Sequence, residues 1–265
     1  MDKTIELVNN VKDIHAMPTV IVKALNIMKK PTASMKELGD IVMFDQSLTI
    51  KFLALVNSAY YGFSQQISSI NIALSLLGMT KVKNIIVAVA MKPMMSNQGD
   101  KELWKHSMRV ASGCEYLANL TKIMDSDEAF ISGFVHDVGK IVLHTTNEKQ
   151  YAKVVAAVDA GADILETERK YFDSDHVKTG SLLAKRWQLP ILLANTISYH
   201  HAPSLSSIPV PCNLVCFVDK LVQTNFNPNS IDKDFCNTLG IDFEDLDDLR
   251  KAIMQKAEVM ISELS

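Results

Sequence analysis

Apolar side chains recur along this chain at three- and four-residue steps, as Val20, Val22, Ala24, Leu25 and Met28 do near its start. That spacing lines one face of a helix with 3.6 residues per turn. Strict apolar–polar alternation is scarce, as are Asn-Gly and Asp-Gly pairs, so strand and hairpin signals are weak. The pattern predicts an all-α protein.

Punctuation residues divide the pattern into helices. Pro18 and Pro31 bracket a first long helix, and Ser34 precedes a short one, MKELGDIVM. The Asp45 carboxylate can accept from free backbone N–H groups at the start of SLTIKFLALVNS, which ends at NSAYYG, residues 57–62. Asn57 and Ser58 are expected to shape that end, because short polar side chains compete for backbone hydrogen bonds. Ser69 opens INIALSLLG with Gly78 as its stop, and Thr80 starts a helix running to Met95. The polar stretch MSNQGDKE, residues 95–102, separates two apolar blocks and marks a boundary. It divides the chain into an N-terminal helical unit, residues 1–98, and a second unit, residues 99–265. At the far end, Phe243, Leu246, Leu249, Ile253, Ala257, Met260 and Leu264 form an apolar stripe. A helix docked on its own domain is the reading favoured over a dimer seam, since the stripe is short; a homodimer stays open.

Composition narrows the function classes. Lysine plus arginine is 27 against 30 aspartate plus glutamate, a net charge of −3, so no strong field draws nucleic acid. The basic spots MKK (28–30) and KVK (81–83) are ordinary solvated helix ends, and no polybasic run invites anionic lipid. Cys114, Cys212, Cys216 and Cys236 lie in apolar segments and read as reduced core residues. Cys212 and Cys216 share a helix face, but no second pair completes a zinc motif. The start, MDKTIELVNNVKDI, lacks the basic-then-apolar order of a signal peptide, and IIVAVAM (85–91) reads as a core helix rather than a span. A soluble, cytoplasmic protein is expected, with neither nucleic acid nor membrane as partner.

Candidate chemistry gathers at GFVHDVGK, residues 133–140. His106 lies in LWKHSMRVASGCEYLANL, and His136 follows thirty residues later, room for a helix, a turn and a second helix. The two imidazoles can then face each other across an antiparallel pair. On one helix His136 and Asp137 point about 100° apart, and both can still reach an ion between helices. A borderline divalent ion accepts imidazole and carboxylate together. Asp219, a lone acid in the apolar run LVCFVDKL, is costly to bury without a partner and supplies a fourth ligand. A single buried histidine is usually a hydrogen-bonded core residue, and an His-Asp pair alone is unremarkable. The ordered set in apolar helices raises the signal.

The order H…HD…D resembles the HD superfamily of metal-dependent phosphohydrolases. Further stretches stand in the order of one bacterial regulatory relative: MPTVIVKALNIMKK, MFDQSLTIKFLALVNSAYYGF (43–63), ISSINIALSLLGMTKVKNIIV (67–87), WKHS, FISGFVHDVGKIVL, DHVKTGSLLAKRWQLP (175–190) and ISYHH (197–201). On these motifs, over about residues 10–225, the chain is identified as a member of the HDOD domain family. It departs at Ala16-Met17 and at Gln46, where proline is common in the family. The resemblance implies an N-terminal helical subdomain packed on a C-terminal HD-like bundle, and a role in bacterial signal transduction. It implies metal ligation by His106, His136, Asp137 and Asp219, with Mn, Fe, Zn, Ni or Mg as the ion. Lys140, His176 and His200 or His201 match positions that hold a second metal or a phosphate in catalytic relatives. In an enzyme, Lys140 would neutralise phosphoryl charge, and His176 and His200 would extend the metal site or shuttle protons. The segment APSLSSIPVPCN after His201 lacks the glycine-tyrosine-proline signature of cyclic-di-GMP hydrolases, so that activity is not predicted.

Two functions follow from different classes. The favoured one is a regulatory module that works through signalling proteins or a small ligand, since many members of the family lack demonstrated catalysis. The alternative is a phosphohydrolase acting on a nucleotide or other phosphoester. Around the site, Gly133 and Gly139 are expected to permit close helix packing, and Trp104 and Trp187 to supply large buried area. Tyr60, Tyr61 and Phe63 are expected in the core between the two units rather than on a partner surface.

Overall fold

The structure, a computed structural model, describes residues 2–11, 20–23, 34–44, 46–96 and 102–264. The helix expected between Pro18 and Pro31 lies largely outside the described residues, as do the Asp45 cap and most of MSNQGDKE. The described residues are helical with no strand, as the periodicity predicts.

Capping chemistry sets the first helices. In α1 (Lys3–Asn10), Asp2 accepts from the Thr4 N–H at 2.9 Å. In α2 (Met35–Phe44), Ser34 and Glu37 satisfy each other's backbone N–H groups reciprocally, at 3.2 and 2.9 Å. Helix α3 (Gln46–Val56) ends in the NSAYYG turn. There the Asn57 amide donates to Leu53 O and Ile67 O at 2.8 Å each and accepts from Ile67 N–H at 2.6 Å, while Ser58 Oγ donates to Leu55 O at 2.7 Å. One side chain thereby fastens the helix end to a segment ten residues on.

Helix α4 (Ile70–Met95) contains the stop expected at Gly78, whose φ of 78° and ψ of 166° break the helix in two. By length and composition α4 could cross a membrane, but the break and the burial of Val82, Ile85, Ile86, Val87, Ala88 and Met91 make it a core helix. It packs beside α5 (Glu102–Thr121), where Trp104 is buried and donates to Ala88 O at 3.2 Å. Trp187 contributes less than expected, being only half-buried.

A short turn reverses α5 into α6 (Ser126–Val135), and Gly133 presses on it: a Cβ there would lie 2.9 Å from Val110 O. Then come α7 (Gly139–Thr146), α8 (Glu148–Asp159), α9 (Ile164–Phe172), α10 (His176–Arg186), α11 (Ile191–Tyr199), α12 (Pro209–Leu221), α13 (Lys233–Thr238) and α14 (Leu246–Leu264). The stripe Leu246–Leu249–Ile253–Ala257–Met260–Leu264 is buried, so α14 docks on α5 and α3 of its own chain. One apolar cluster runs from α1 through α11 and a second joins α5, α12 and α14; the four cysteines are free and buried.

The two halves also meet through charge. Tyr60 Oη donates to Glu115, whose carboxylate lies 3.1 Å from Lys81 Nζ and 3.8 Å from Lys256 Nζ. Lys256 also stands 4.9 Å above the Tyr60 ring. Burial, then the Glu115 charge, pushes the Tyr60 phenol well above its ordinary range, so it stays a donor. The NSAYYG turn is thus tied to α5 and α14 together.

The tightest contact joins α7 to α10. A Cβ built on Gly139 would sit 1.9 Å from His176 O, a distance no side chain tolerates. Gly139→Ala should therefore cost about 3 kcal/mol or more by overpacking, read as a lower urea midpoint; an unchanged midpoint would refute the backbone contact.

Candidate metal centre

Local folding brings the polar residues to one place. His106 lies on α5, while His136 and Asp137 occupy the bend where α6 stops and α7 starts. Lys140 stands in the first turn of α7, where its N–H bonds Asp137 O at 2.9 Å. His176 opens α10, capped by Asp175, which accepts from Lys178 N–H at 2.8 Å. His200 and His201 follow the end of α11, and Asp219 sits in α12. The Gly139 contact carries His176 to the bend, and the α5–α6 hairpin sets the His106 and His136 rings 5.4 Å apart.

Asp137 is the centre of two donor groups. On one side, His106 Nε2 lies 3.0 Å from Asp219 Oδ1 and 3.5 Å from Asp137 Oδ2. His136 Nε2 lies 3.2 Å from Asp137 Oδ2 and 3.8 Å from Asp219 Oδ1. On the other side, Asp137 Oδ1 lies 3.3 Å from His176 Nε2 and 3.6 Å from His200 Nε2. His176 Nε2 is also 3.3 Å from His200 Nε2 and 3.0 Å from His201 Nε2. Lys140 Nζ donates to Asp137 Oδ2. Every residue singled out in the sequence as a ligand or catalytic group, His201 included, is in this cluster.

The outer ring nitrogens decide the inner ones. His136 Nδ1 bonds Gly133 O at 2.7 Å, and His200 Nδ1 lies 3.1 Å from both Thr196 O and Ile197 O. His176 Nδ1 bonds Glu168 Oε2 at 2.7 Å. A nitrogen facing a carbonyl or carboxylate oxygen is the donor, so a neutral ring then carries its lone pair on Nε2. These Nε2 atoms face carboxylate oxygens and one another. His106 Nε2, His136 Nε2 and Asp137 Oδ1 are buried and make no hydrogen bond of good geometry. Buried polar atoms are rarely left so. A cation between them is the partner such donors fit, and the residues group as His106–His136–Asp137 and as His176–His200–His201.

Glu168 is the residue that sequence reasoning missed. It is fully buried, and its Oε2 also accepts from the His176 backbone N–H at 2.8 Å. The signal was present: Ile164, Glu168 and Phe172 are four apart in α9, so the acid falls on an apolar stripe. Asp175 was missed too; it is buried, caps α10, and holds Arg169 Nε at 2.7 Å. His144 lies elsewhere, 5.6 Å from the Tyr151 ring, and His15 is outside the described residues.

Comparison with known proteins bears on the same residues. The HDOD domain model matches residues 14–203. The chain belongs to the HDOD domain family. Similar solved structures include an HDOD domain protein of unknown function from Geobacter sulfurreducens, with a TM-score of 0.79 and 22% identity, covering 96% of this chain and 97% of that one. A candidate phosphohydrolase from Shewanella amazonensis has a TM-score of 0.77 at 20% identity, covering 99% and 98%. At such identities these share the fold. A curated relative, an uncharacterized protein of Treponema pallidum, is 26% identical over 204 residues, 74% of this chain and 39% of its own length. YuxH of Bacillus subtilis is 26% identical over 151 residues, 56% of this chain and 36% of its own length. The chain spans under two fifths of the length of each of these curated relatives. The HDOD match ends before Asp219, so only the packing of α12 joins that acid to the centre.

Electrostatics in the HDOD centre are those of a crowded ion cluster. Burial opposes charge on His136, but Asp137 and Asp219 outweigh it and raise its pKa to about 10. Burial would raise the two carboxyls, yet His136 and Lys140 hold Asp137 well below its usual range, and His106 and His136 do so for Asp219. Burial pushes His176 well below its ordinary range, and the more exposed His201 is lowered as well, so both imidazoles are neutral near pH 7. It pushes the Glu168 carboxyl up to about 8, against the pull of Lys140.

Two outcomes follow. Because its pKa is raised, metal-free His136 holds a proton at pH 7 that a cation must displace. Binding should release about one proton and tighten as pH rises towards 9; calorimetry in buffers of different ionisation enthalpy reads this, and no released proton would contradict it. Glu168→Ala should weaken metal retention at the His176 group about 10- to 100-fold, read by metal titration, with Glu168→Gln recovering some of the loss.

Proposed function

We propose that this HDOD chain is a signal-transduction module that binds two divalent metal ions about Asp137 and uses them to bind and hydrolyse a phosphoester. The observation that carries the reading is the placement of Asp137, one oxygen towards each donor group. The sequence reading sets regulation ahead of catalysis. The complete double donor set favours catalysis in service of regulation.

His106, His136, Asp137 and Asp219 would hold one ion, and His176, His200 and His201 with Asp137 the other. Mixed imidazole and carboxylate donors suit Mn, Fe, Zn or Ni; a three-imidazole group suits Mg poorly. Such ions supply positive charge to phosphoryl oxygens and make a water nucleophilic near neutral pH. The remaining tasks belong to the chain. Lys140 lines the cavity over the centre and would place a positive charge beside a phosphoryl oxygen. His201, at the same cavity, would serve the second ion as a ligand and leave its face of the cavity open to the phosphoryl group. Glu168 keeps the His176 ring turned inward.

Signalling proteins are the proposed partners. The Tyr60–Glu115–Lys256 cluster favours a relay, since it joins the N-terminal turn to both the His106 helix and the C-terminal helix. The cytoplasm is the proposed site of action.

Elemental analysis should find about two ions per chain after loading with Mn, Fe, Zn or Ni, and none in the His136→Ala/Asp137→Ala variant. The loaded wild type should hydrolyse an aryl phosphate, with the variant at least about a hundredfold slower. A well-folded wild type that refuses all four metals would sink the proposal.

A further inference from the structure

The cavity over the metal centre holds about 280 Å³ and is lined by His106, Lys140, His201 and Asp219 at its floor. Its upper wall comes from two other places. Val158 and Asp159 at the end of α8, with Ile164 of α9, form one side. Gln223, Thr224 and Asn225, just past α12, form the other.

Three features of this wall restrict what fits. Among the described residues, Lys140 is the only lysine or arginine lining the cavity, and Asp137 already engages it. No described phenylalanine, tyrosine or tryptophan lines it, so the wall offers no broad base-stacking platform. The polar groups offered are two amides, a hydroxyl and one carboxylate, whose side chains are not hydrogen-bonded to any described residue. Amides and hydroxyls pair with alcohol hydroxyls as both donor and acceptor, and a carboxylate accepts from them. A second phosphate would meet Asp159 with no lining cation to offset the repulsion.

The rim is also held in place. Arg250 of α14 donates from Nε to Leu221 O at 3.0 Å and from Nη2 to Gln223 O at 3.1 Å. Its guanidinium lies 5.7 Å from the Phe226 ring centroid. The backbone carrying Gln223–Asn225 is thereby fixed before any ligand arrives, as a specificity surface requires.

We infer that the substrate is a phosphomonoester of a small, hydroxyl-rich alcohol such as a sugar, with its single phosphate at the metal floor and its hydroxyls on the Gln223–Asn225 rim. This rests on the phosphoester reading above. In the reaction the P–O bond to the alcohol breaks and a new P–O bond to water oxygen forms. A proton from that water passes, in net terms, to the leaving oxygen, giving inorganic phosphate and the free alcohol with no redox change.

The test is calorimetric binding to the Mn-loaded full chain, using inorganic phosphate, a pentose 5-phosphate and a pentose 1,5-bisphosphate. The pentose monophosphate should bind about tenfold tighter than phosphate, and the bisphosphate no tighter than the monophosphate. Gln223→Ala/Asn225→Ala should remove the monophosphate's advantage and leave phosphate binding unchanged. Asp159→Asn should tighten the bisphosphate selectively, by about tenfold. A bisphosphate that outbinds the monophosphate in the wild type, or a rim variant that binds all three as before, overturns the inference while the phosphoester reading stands. Failure of inorganic phosphate itself to bind overturns that reading, and the inference with it.

Discussion

A carboxylate that is 1% exposed needs compensation from every side, and the architecture around Asp137 supplies it. Its oxygens face four imidazoles and an ammonium drawn from α5, the α6–α7 bend, α7, α10 and the end of α11. A buried charge is tolerated only when its partners are held in good geometry. The helix packing supplies that geometry. Gly133 lets α6 lie against α5, and Gly139 lets α7 lie against α10, each at backbone contact. Larger residues at either glycine would separate the groups that make the charge bearable. The apolar core and the ion cluster are therefore mutually dependent.

Much of this was legible in the sequence because it rests on local rules. The break at Gly78 needs a φ of 78°, which glycine reaches freely. The stripe of α14 and the Ser34–Glu37 cap are equally local. The polar positions of the centre were readable because each interrupts an apolar run or stands at a helix end. Less legible was what depends on three-dimensional neighbours. Glu168 looks from sequence like one more acid in ILETERKYF, and only the approach of α10 gives it His176 to hold. Likewise the sequence cannot foretell that Asp137 turns one oxygen to each donor group, since that depends on the α7–α10 contact distance. Trp187 is shallower than its size suggests because size alone does not fix depth; its helix ends near the surface.

The Tyr60 cluster belongs to the same logic at a lower charge density. Glu115 is buried further along α5 from His106, and is balanced by Lys81 and Lys256 and by a phenol from the NSAYYG turn. Both ion clusters hang on α5, so a shift of that one helix would be felt at both ends.

Arg250 gives the fold a division of labour. The His-Asp pair and the three-histidine group fall inside the HDOD match, whereas the Gln223–Asn225 rim and the arginine that steadies it fall outside. Substitutions in the C-terminal stretch can reshape the mouth of the cavity without disturbing a single imidazole. Asp219 shares that stretch with the rim, so the imidazoles and the mouth of the cavity are carried by different parts of the chain, with one acid of the centre standing beside the mouth.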